Sequence, residues 1–250
     1  MTASTGNHGA AVAWACQRSG LRAMVYAPAG ASLAKLALID RLGAEIRLIG
    51  TDLDFAKEEG KRFAIEARLP FFEDGVEPTQ YEGYAAIADE ILDQLPAHPA
   101  AVVVPVGNGA LICGIGRALR RRAPETQVVG VAAKEAPVMA LSFDARRPVE
   151  SDRMGTFADG LAVRVAIPAA VALVNAVVDR MLLVSEREMA TAVGDFGKAG
   201  VRVEGAAAAG LAALPLLPAL EGPIVLVVTG RNIDDALYLR AVTEPESFPD

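Results

Sequence analysis

Apolar and polar positions fall in blocks along this chain, and the blocks switch between helical and strand-like spacing. Residues 8–20 carry apolar side chains at helical spacing and close on Gly20, so a helix with a glycine C-terminal cap is expected. Residues 22–26 form a short apolar run closed by Pro28, which reads as a buried strand. Ser32 is placed to cap a second helix reaching Leu42, with Gly43 behind it. Residues 45–49 read as the next strand, Asp52 opens a third helix toward Arg68, and residues 69–72 are again strand-like.

The same alternation continues beyond Pro78. Helices are expected over residues 82–95, from the glycine-rich turn after residue 106 to Arg122, over 168–178 and over 206–214. Strands are expected at 101–104, 128–131, 181–184 and 224–228, and Ser185-Glu186-Arg187-Glu188 is a capping-box pattern that opens a further helix. Residues 143–153 carry the weakest pattern and read as a surface loop. Strands that alternate with helices indicate an α/β fold built of βαβ units around parallel sheet. Glu73-Asp74-Gly75 and Pro78 interrupt the pattern, which places a domain boundary there and gives domains 1–76 and 77–250.

Composition narrows the class. Of the 250 residues 52% are apolar but only 5% aromatic, the Ala/Val/Leu/Ile core of strands buried under helices. The net charge is −7 and Arg120-Arg121-Arg122 is a single basic cluster, read as a helix C-terminal feature, so no nucleic-acid partner is expected. The apolar tract 206–220 is too short to cross a bilayer and contains Pro215 and Pro218, so no membrane partner is expected either. Two cysteines, Cys16 and Cys113, form no disulfide or metal pattern, and no signal peptide is visible; a cytoplasmic chain is expected.

Three segments carry candidate chemistry. Thr2-Ala3-Ser4-Thr5-Gly6-Asn7-His8-Gly9-Ala10 is a small-polar turn running into a helix N-terminus, a setting that favours anions. Pro105-Val106-Gly107-Asn108-Gly109-Ala110-Leu111 follows a buried strand and opens a helix, so its amides can approach a phosphate. It is not a dinucleotide fingerprint, since Ile112 stands where the last glycine would be, and no Gly-Lys-Ser/Thr follows to make a Walker loop. Thr229 lies at the end of the last apolar strand and precedes Gly230, where open α/β sheets place ligands.

Taken in order, these segments resemble fold-type II pyridoxal phosphate enzymes, the group of threonine dehydratase, threonine synthase and tryptophan synthase β. Gly155-Thr156-Phe157-Ala158-Asp159-Gly160-Leu161-Ala162-Val163 is similar to the Thr-Ile-Ala-Asp-Gly stretch of threonine dehydratases. Glu204-Gly205-Ala206-Ala207 resembles their Glu-Pro-x-Gly-Ala segment without the proline, and Glu82-Gly83-Tyr84 a segment of threonine synthases. The resemblance implies two parallel-sheet three-layer domains, the larger one incomplete at its N-terminus, and pyridoxal 5'-phosphate as cofactor. It implies that Ser4, Thr5, Gly6 and His8 hold the substrate carboxylate and that Asn7 meets the cofactor's phenolic oxygen. The amides of Gly107, Asn108, Gly109, Ala110 and Leu111 would hold the phosphate, and Thr229 the pyridine nitrogen. Arg231 departs from the family's second glycine there. Glu204 has two readings, a group near the cofactor ring or an exposed acid in a helix's first turn.

The family's Schiff-base lysine lies upstream of the Asn7 loop in a Ser-x-Lys-x-Arg-Gly context. None of Lys35, Lys57, Lys61, Lys134 and Lys198 has that context; Lys35, Lys57 and Lys61 read as solvated helix positions, and Lys134 lies nearest a sheet edge. The expectation is therefore a truncated threonine/serine dehydratase-like lyase of amino acid metabolism, inactive as this chain. A small hydroxy amino acid would be its substrate and a homodimer its implied assembly. The alternatives are a threonine synthase-like enzyme, favoured by Pro105-Val106-Gly107-Asn108-Gly109, and a non-catalytic fragment or binding protein of the same family.

Overall fold

The computed structural model describes residues 1–250, which divide into two units, Met1–Glu77 and Pro78–Asp250. The first unit runs β1 (Thr2–Ala3), α1 (Asn7–Arg18), β2 (Met24–Ala27), α2 (Leu33–Arg41), β3 (Glu45–Leu48) and α3 (Leu53–Ala67). Its three strands pair in parallel in the order β1-β2-β3. Strand side chains alternate between faces, and the packing follows. Val25 joins α1 and α2 through Ala10, Ala13 and Ile39, whereas Ala3 and Tyr26 pack with Ala56 of α3. The unit is thus a sheet between two helical layers.

The second unit runs α4 (Pro78–Gln94), β4 (Ala101–Pro105), α5 (Ala110–Arg122), β5 (Gln127–Ala133), α6 (Val138–Ala145), α7 (Pro168–Val177), β6 (Arg180–Val184), α8 (Glu186–Lys198), α9 (Gly205–Ala212), β7 (Ile224–Leu226) and α10 (Asp235–Thr243). Its sheet is parallel throughout, in the order β6-β5-β4-β7. β4 is buried along its whole length. Val102 and Val104 face the layer of α4, α5 and α7, while Ala101 and Val103 face α9. A strand covered on both sides reads as a continuous apolar run, which is why Ala-Val-Val-Val shows no alternation.

Several helix ends match their sequence signals. The Asp52 side chain accepts the Phe55 amide, and Ser185 and Glu188 close the expected capping box. Ser32 occupies the N-cap position of α2 but makes no side-chain cap bond. Arg120 and Arg122, in the last turn of α5, are bound locally: Arg120 to Asp179 and the Val177 carbonyl, Arg122 to Asp89 and Asp93 of α4. No helix is long and apolar enough to cross a membrane.

Four expectations change. Residues 69–72 are not a strand. They lie along β1 through the Phe72 amide to Met1 O (2.8 Å) and the Thr2 hydroxyl to Phe72 O (2.7 Å), but Pro70 has no N–H with which to continue a ladder. Helix α4 starts at Pro78, four residues early, because a proline in the first turn forfeits no helical hydrogen bond. Residues 143–153 are not all loop. α6 runs through Phe143 to Ala145 and ends where Arg146 turns left-handed at φ 56°, and Glu150 then bridges Val165. The last strand stops at Leu226; the Val227 amide still bonds Val103 O at 3.0 Å, and the chain then leaves the sheet. α10 forms over residues where no helix was expected.

Candidate functional site

In the first unit the Ser4–His8 segment leaves β1 and enters α1. Ser4 N donates to Tyr26 O (2.9 Å), which ties the start of the turn to β2, and Ser4 Oγ accepts the Gly6 amide at 3.1 Å. Gly6 stands at the N-cap position, where no side chain caps the helix, and its carbonyl accepts the Ala10 amide at 3.0 Å. Ser4 is buried, Thr5 half-buried and Asn7 exposed. The Asn7 and His8 amides open the helix, where backbone N–H groups lack intrahelical partners.

His8 is held by the framework. Its Nε2 lies 2.9 Å from Thr2 Oγ1, its Nδ1 lies 3.4 Å from an Asp74 carboxylate oxygen, and its ring stacks on Phe72 at 5.6 Å between centroids. Both ring nitrogens thus face residues of this unit, and the imidazole fastens residues 72–74 beside β1. Lys35 corrects the expectation of a solvated lysine. It is only 4% exposed, and its aliphatic stem packs against Gly6 so closely that a β-carbon on Gly6 would collide with it.

In the second unit the glycine loop leaves β4 at the carboxyl edge of the sheet. Val106 N donates to Val131 O (2.8 Å), and Gly109 adopts φ +91° at the N-cap of α5, a left-handed conformation that disfavours a side chain. Gly107 lies directly against the Gly160 carbonyl, and a β-carbon on it would collide there. Asn108 Oδ1 accepts the Ala110 amide at 3.0 Å, so Asn108 folds back on the loop and engages one of the five amides assigned to phosphate.

The remaining family-like stretches gather at the same place. Gly160 belongs to a single 3-10 turn, Asp159–Leu161, and a β-carbon on it would lie 3.0 Å from Ala206 in α9. The Phe157 ring covers Gly205. Glu204 N donates to Gly230 O at 3.1 Å, which joins the start of α9 to the residue after Thr229. Neighbouring parallel strands lie about 4.8 Å apart, and β4 and β7 are neighbours. The glycine loop and Thr229 therefore leave the same sheet edge from adjacent strands. Thr229 itself is exposed and lies three residues beyond the end of β7. Glu204 is 2% exposed at the N-cap position of α9, which overturns its reading as an exposed first-turn acid: the Gly230 carbonyl and the Phe157 ring close over this end of the helix.

Of the other lysines, Lys57 and Lys61 pair with Glu73, and Lys198 with Asp195. Lys134 follows β5 at the carboxyl edge, with its ammonium 3.7 Å from Glu188. The residue that sequence reasoning missed is Glu186. It is buried at the start of α8 and bonds the 156–157 backbone and hydroxyl across a gap of 30 residues. Its only sequence signal was membership of the capping-box pattern.

The family model described as "Pyridoxal-phosphate dependent enzyme" matches residues 1–230. L-threonine ammonia-lyase of Thermotoga maritima is 36% identical over 246 residues, covering 98% of this chain and 61% of that protein. L-threonine ammonia-lyase of Geobacter sulfurreducens is 33% identical over 237 residues, covering 94% of this chain and 59% of its own length. The chain thus spans about three fifths of these curated relatives. Among solved structures, the processed form of threonine deaminase isoform 2 from Solanum lycopersicum superposes with a TM-score of 0.90 at 29% identity, over 98% of this chain and 72% of that one. Two parallel α/β sheets, a glycine loop opening α5 and these relatives together show that the chain belongs to the pyridoxal-phosphate dependent enzyme family, whose cofactor is pyridoxal 5'-phosphate.

Proposed function

We propose that this chain carries the carboxylate-binding and phosphate-binding elements of a lyase that eliminates water from a small hydroxy amino acid, L-threonine or L-serine, whose imine product takes water back up to give a 2-oxo acid and ammonia. The observation that carries the reading is the glycine loop. Gly107 is pressed against a backbone carbonyl, Gly109 is left-handed, and the turn ends at the first turn of a 13-residue helix. Such a cradle excludes side chains and presents amides to an anion at the positive end of a helix. These features fit the phosphate of pyridoxal 5'-phosphate. The relatives named L-threonine ammonia-lyase favour the dehydratase over the threonine synthase alternative.

When bound, the cofactor withdraws electrons from the substrate's α-carbon, which lets the β-hydroxyl leave. The work of this chain is binding and orientation. The amides of Gly107, Gly109 and Leu111 would hold the phosphate, with Asn108 bracing the loop through Ala110. Thr229 would offer its exposed hydroxyl to the ring nitrogen, where a neutral partner leaves that nitrogen unprotonated. Ser4, Thr5 and Gly6 would bind the substrate carboxylate, with Asn7 turned to the cofactor's phenolic oxygen. His8 would act through Thr2 and Asp74, holding the turn in shape without transferring a proton. Glu204 would belong to the buried floor beside Thr229.

No lysine here has the family's sequence context, and Lys57, Lys61, Lys134 and Lys198 are paired with carboxylates. The reading is therefore a chain that binds the cofactor and does not turn substrate over by itself. Titration with pyridoxal 5'-phosphate, borohydride reduction with mass mapping, and an ammonia assay on L-threonine test it. Saturable binding, no reduced adduct on lysine and no ammonia are expected. A stoichiometric adduct on Lys134 or Lys35, or steady ammonia release, would refute the non-catalytic part; absence of binding would refute the cofactor site.

A further inference from the structure

Glu186 is the first residue of α8 and is 2% exposed. Its Oε2 accepts two hydrogen bonds, from the Phe157 amide at 2.8 Å and from the Thr156 hydroxyl at 3.1 Å. Thr156 Oγ1 in turn accepts the Ala158 amide at 3.0 Å. Oε1 is buried without a partner. Burial pushes the carboxyl's pKa up and nearby Glu135 adds to the rise, while the Phe157 and Thr156 bonds oppose it.

Helix α8 does not need this carboxylate in this place. Its capping box is complete with Ser185 and Glu188. A first-turn acid gains from the helix dipole as well when exposed, whereas a buried oxygen with no partner is costly. The bonds of Glu186 point instead to the segment it holds. Residues 156–158 lead directly into the Asp159–Leu161 turn, whose Gly160 carbonyl abuts Gly107 and whose Gly160 α-carbon faces Ala206. The Phe157 ring lies on Gly205. One carboxylate oxygen thereby anchors the segment against which both the glycine loop and the start of α9 are packed.

We propose that Glu186 is a positioning residue for the cofactor phosphate: by holding Thr156 and Phe157 it sets the Gly160 carbonyl against Gly107 and fixes the shape of the 107–111 loop. The inference rests on the reading that this loop binds phosphate. It predicts that the loop loses its shape when the acceptor at position 186 is lost, and keeps it when an acceptor remains.

Hydrogen exchange on the unliganded chain is the first test. Glu186→Met removes the acceptor at similar volume and should speed exchange about tenfold or more at 157–161 and at 107–111 together, with β2 and β3 unchanged. Glu186→Gln keeps an oxygen for both bonds and should stay within about threefold of the parent chain at both segments. Faster exchange at 157–161 alone, or uniform acceleration through the whole chain, would overturn the proposal. The second test compares pyridoxal 5'-phosphate with pyridoxal, which lacks the phosphate. Glu186→Met should weaken the former by about tenfold and leave the latter unchanged. Equal loss for both ligands would overturn a phosphate-specific role. A parent chain that binds the two alike would refute the phosphate reading and the ligand half of this proposal, and the exchange experiment would still decide whether Glu186 shapes the loop.

Discussion

The carbonyl oxygen of Gly160 occupies the space where a side chain on Gly107 would begin. Two backbone segments separated by more than fifty residues therefore meet with no room for a methyl group. Gly107→Ala must push the Asp159–Leu161 turn away or bend the loop. We expect it to weaken pyridoxal 5'-phosphate binding about tenfold or more, at a stability cost of about 1–3 kcal/mol for overpacking. Ligand titration and thermal melts of both chains measure the two effects; unchanged affinity would show that the loop does not need this contact.

The two cysteines should differ sharply toward thiol reagents. Cys113 is fully buried in α5 among Ala110, Ile112 and Val174, and burial pushes its pKa up to about 12. The thiolate is the reactive form, so Cys113 should stay unlabelled in the folded chain near pH 8. Cys16 is half-buried on α1 and should take one equivalent. Two equivalents without denaturant would show that the second unit opens readily in solution.

Much of this was legible in the sequence, and the exceptions share causes. Val102 to Val104 read as a strand because β-branched residues covered on both faces need no alternation, and Ser185 with Glu188 read as a helix start because the capping bonds are local. Residues 69–72 misread because the strand-like composition around Pro70 was given more weight than the proline's missing ladder donor. α6 and Lys35 misread for the opposite reason, since tertiary packing decides them. Val138 and Met139 are buried against the second unit's core, and the Lys35 stem against Gly6. Glu186 was hidden because its partners lie 29 and 30 residues away, and hydroxyl–carboxylate contacts at that separation leave no periodic trace.

Ile112 shows how one position decides between loop types. A glycine there would complete a Gly-x-Gly-x-x-Gly pattern, yet the side chain is fully buried beneath β4 and β5, with its Cδ1 beside Gly130. Ile112→Ala should cost about 2–5 kcal/mol, the usual range for truncating a fully buried aliphatic side chain. Denaturant unfolding checks the value. A loss well under 1 kcal/mol would mean that the site collapses around the missing atoms.

The buried carboxyl of Glu186 gives stability a pH dependence whose sign is fixed. Its folded pKa lies above the value of 4.5 for a free glutamate, chiefly because burial disfavours the charged form. A raised pKa means that the folded chain holds the proton more tightly than the unfolded chain. The contribution is then present below the unfolded pKa and is lost as pH rises through the folded one. Glu186→Gln keeps an acceptor for Thr156 and Phe157 but carries no charge, so this loss disappears. The variant's melting temperature, relative to the parent, should therefore rise as pH climbs above the unfolded value of 4.5. Glu135, whose charge adds to the shift, supplies a second check: Glu135→Gln should shrink the difference without abolishing it, because burial is the larger cause. A melting difference that falls as pH rises would show that the Thr156 and Phe157 bonds outweigh burial and hold Glu186 ionised, and one that stays flat would show that they cancel it.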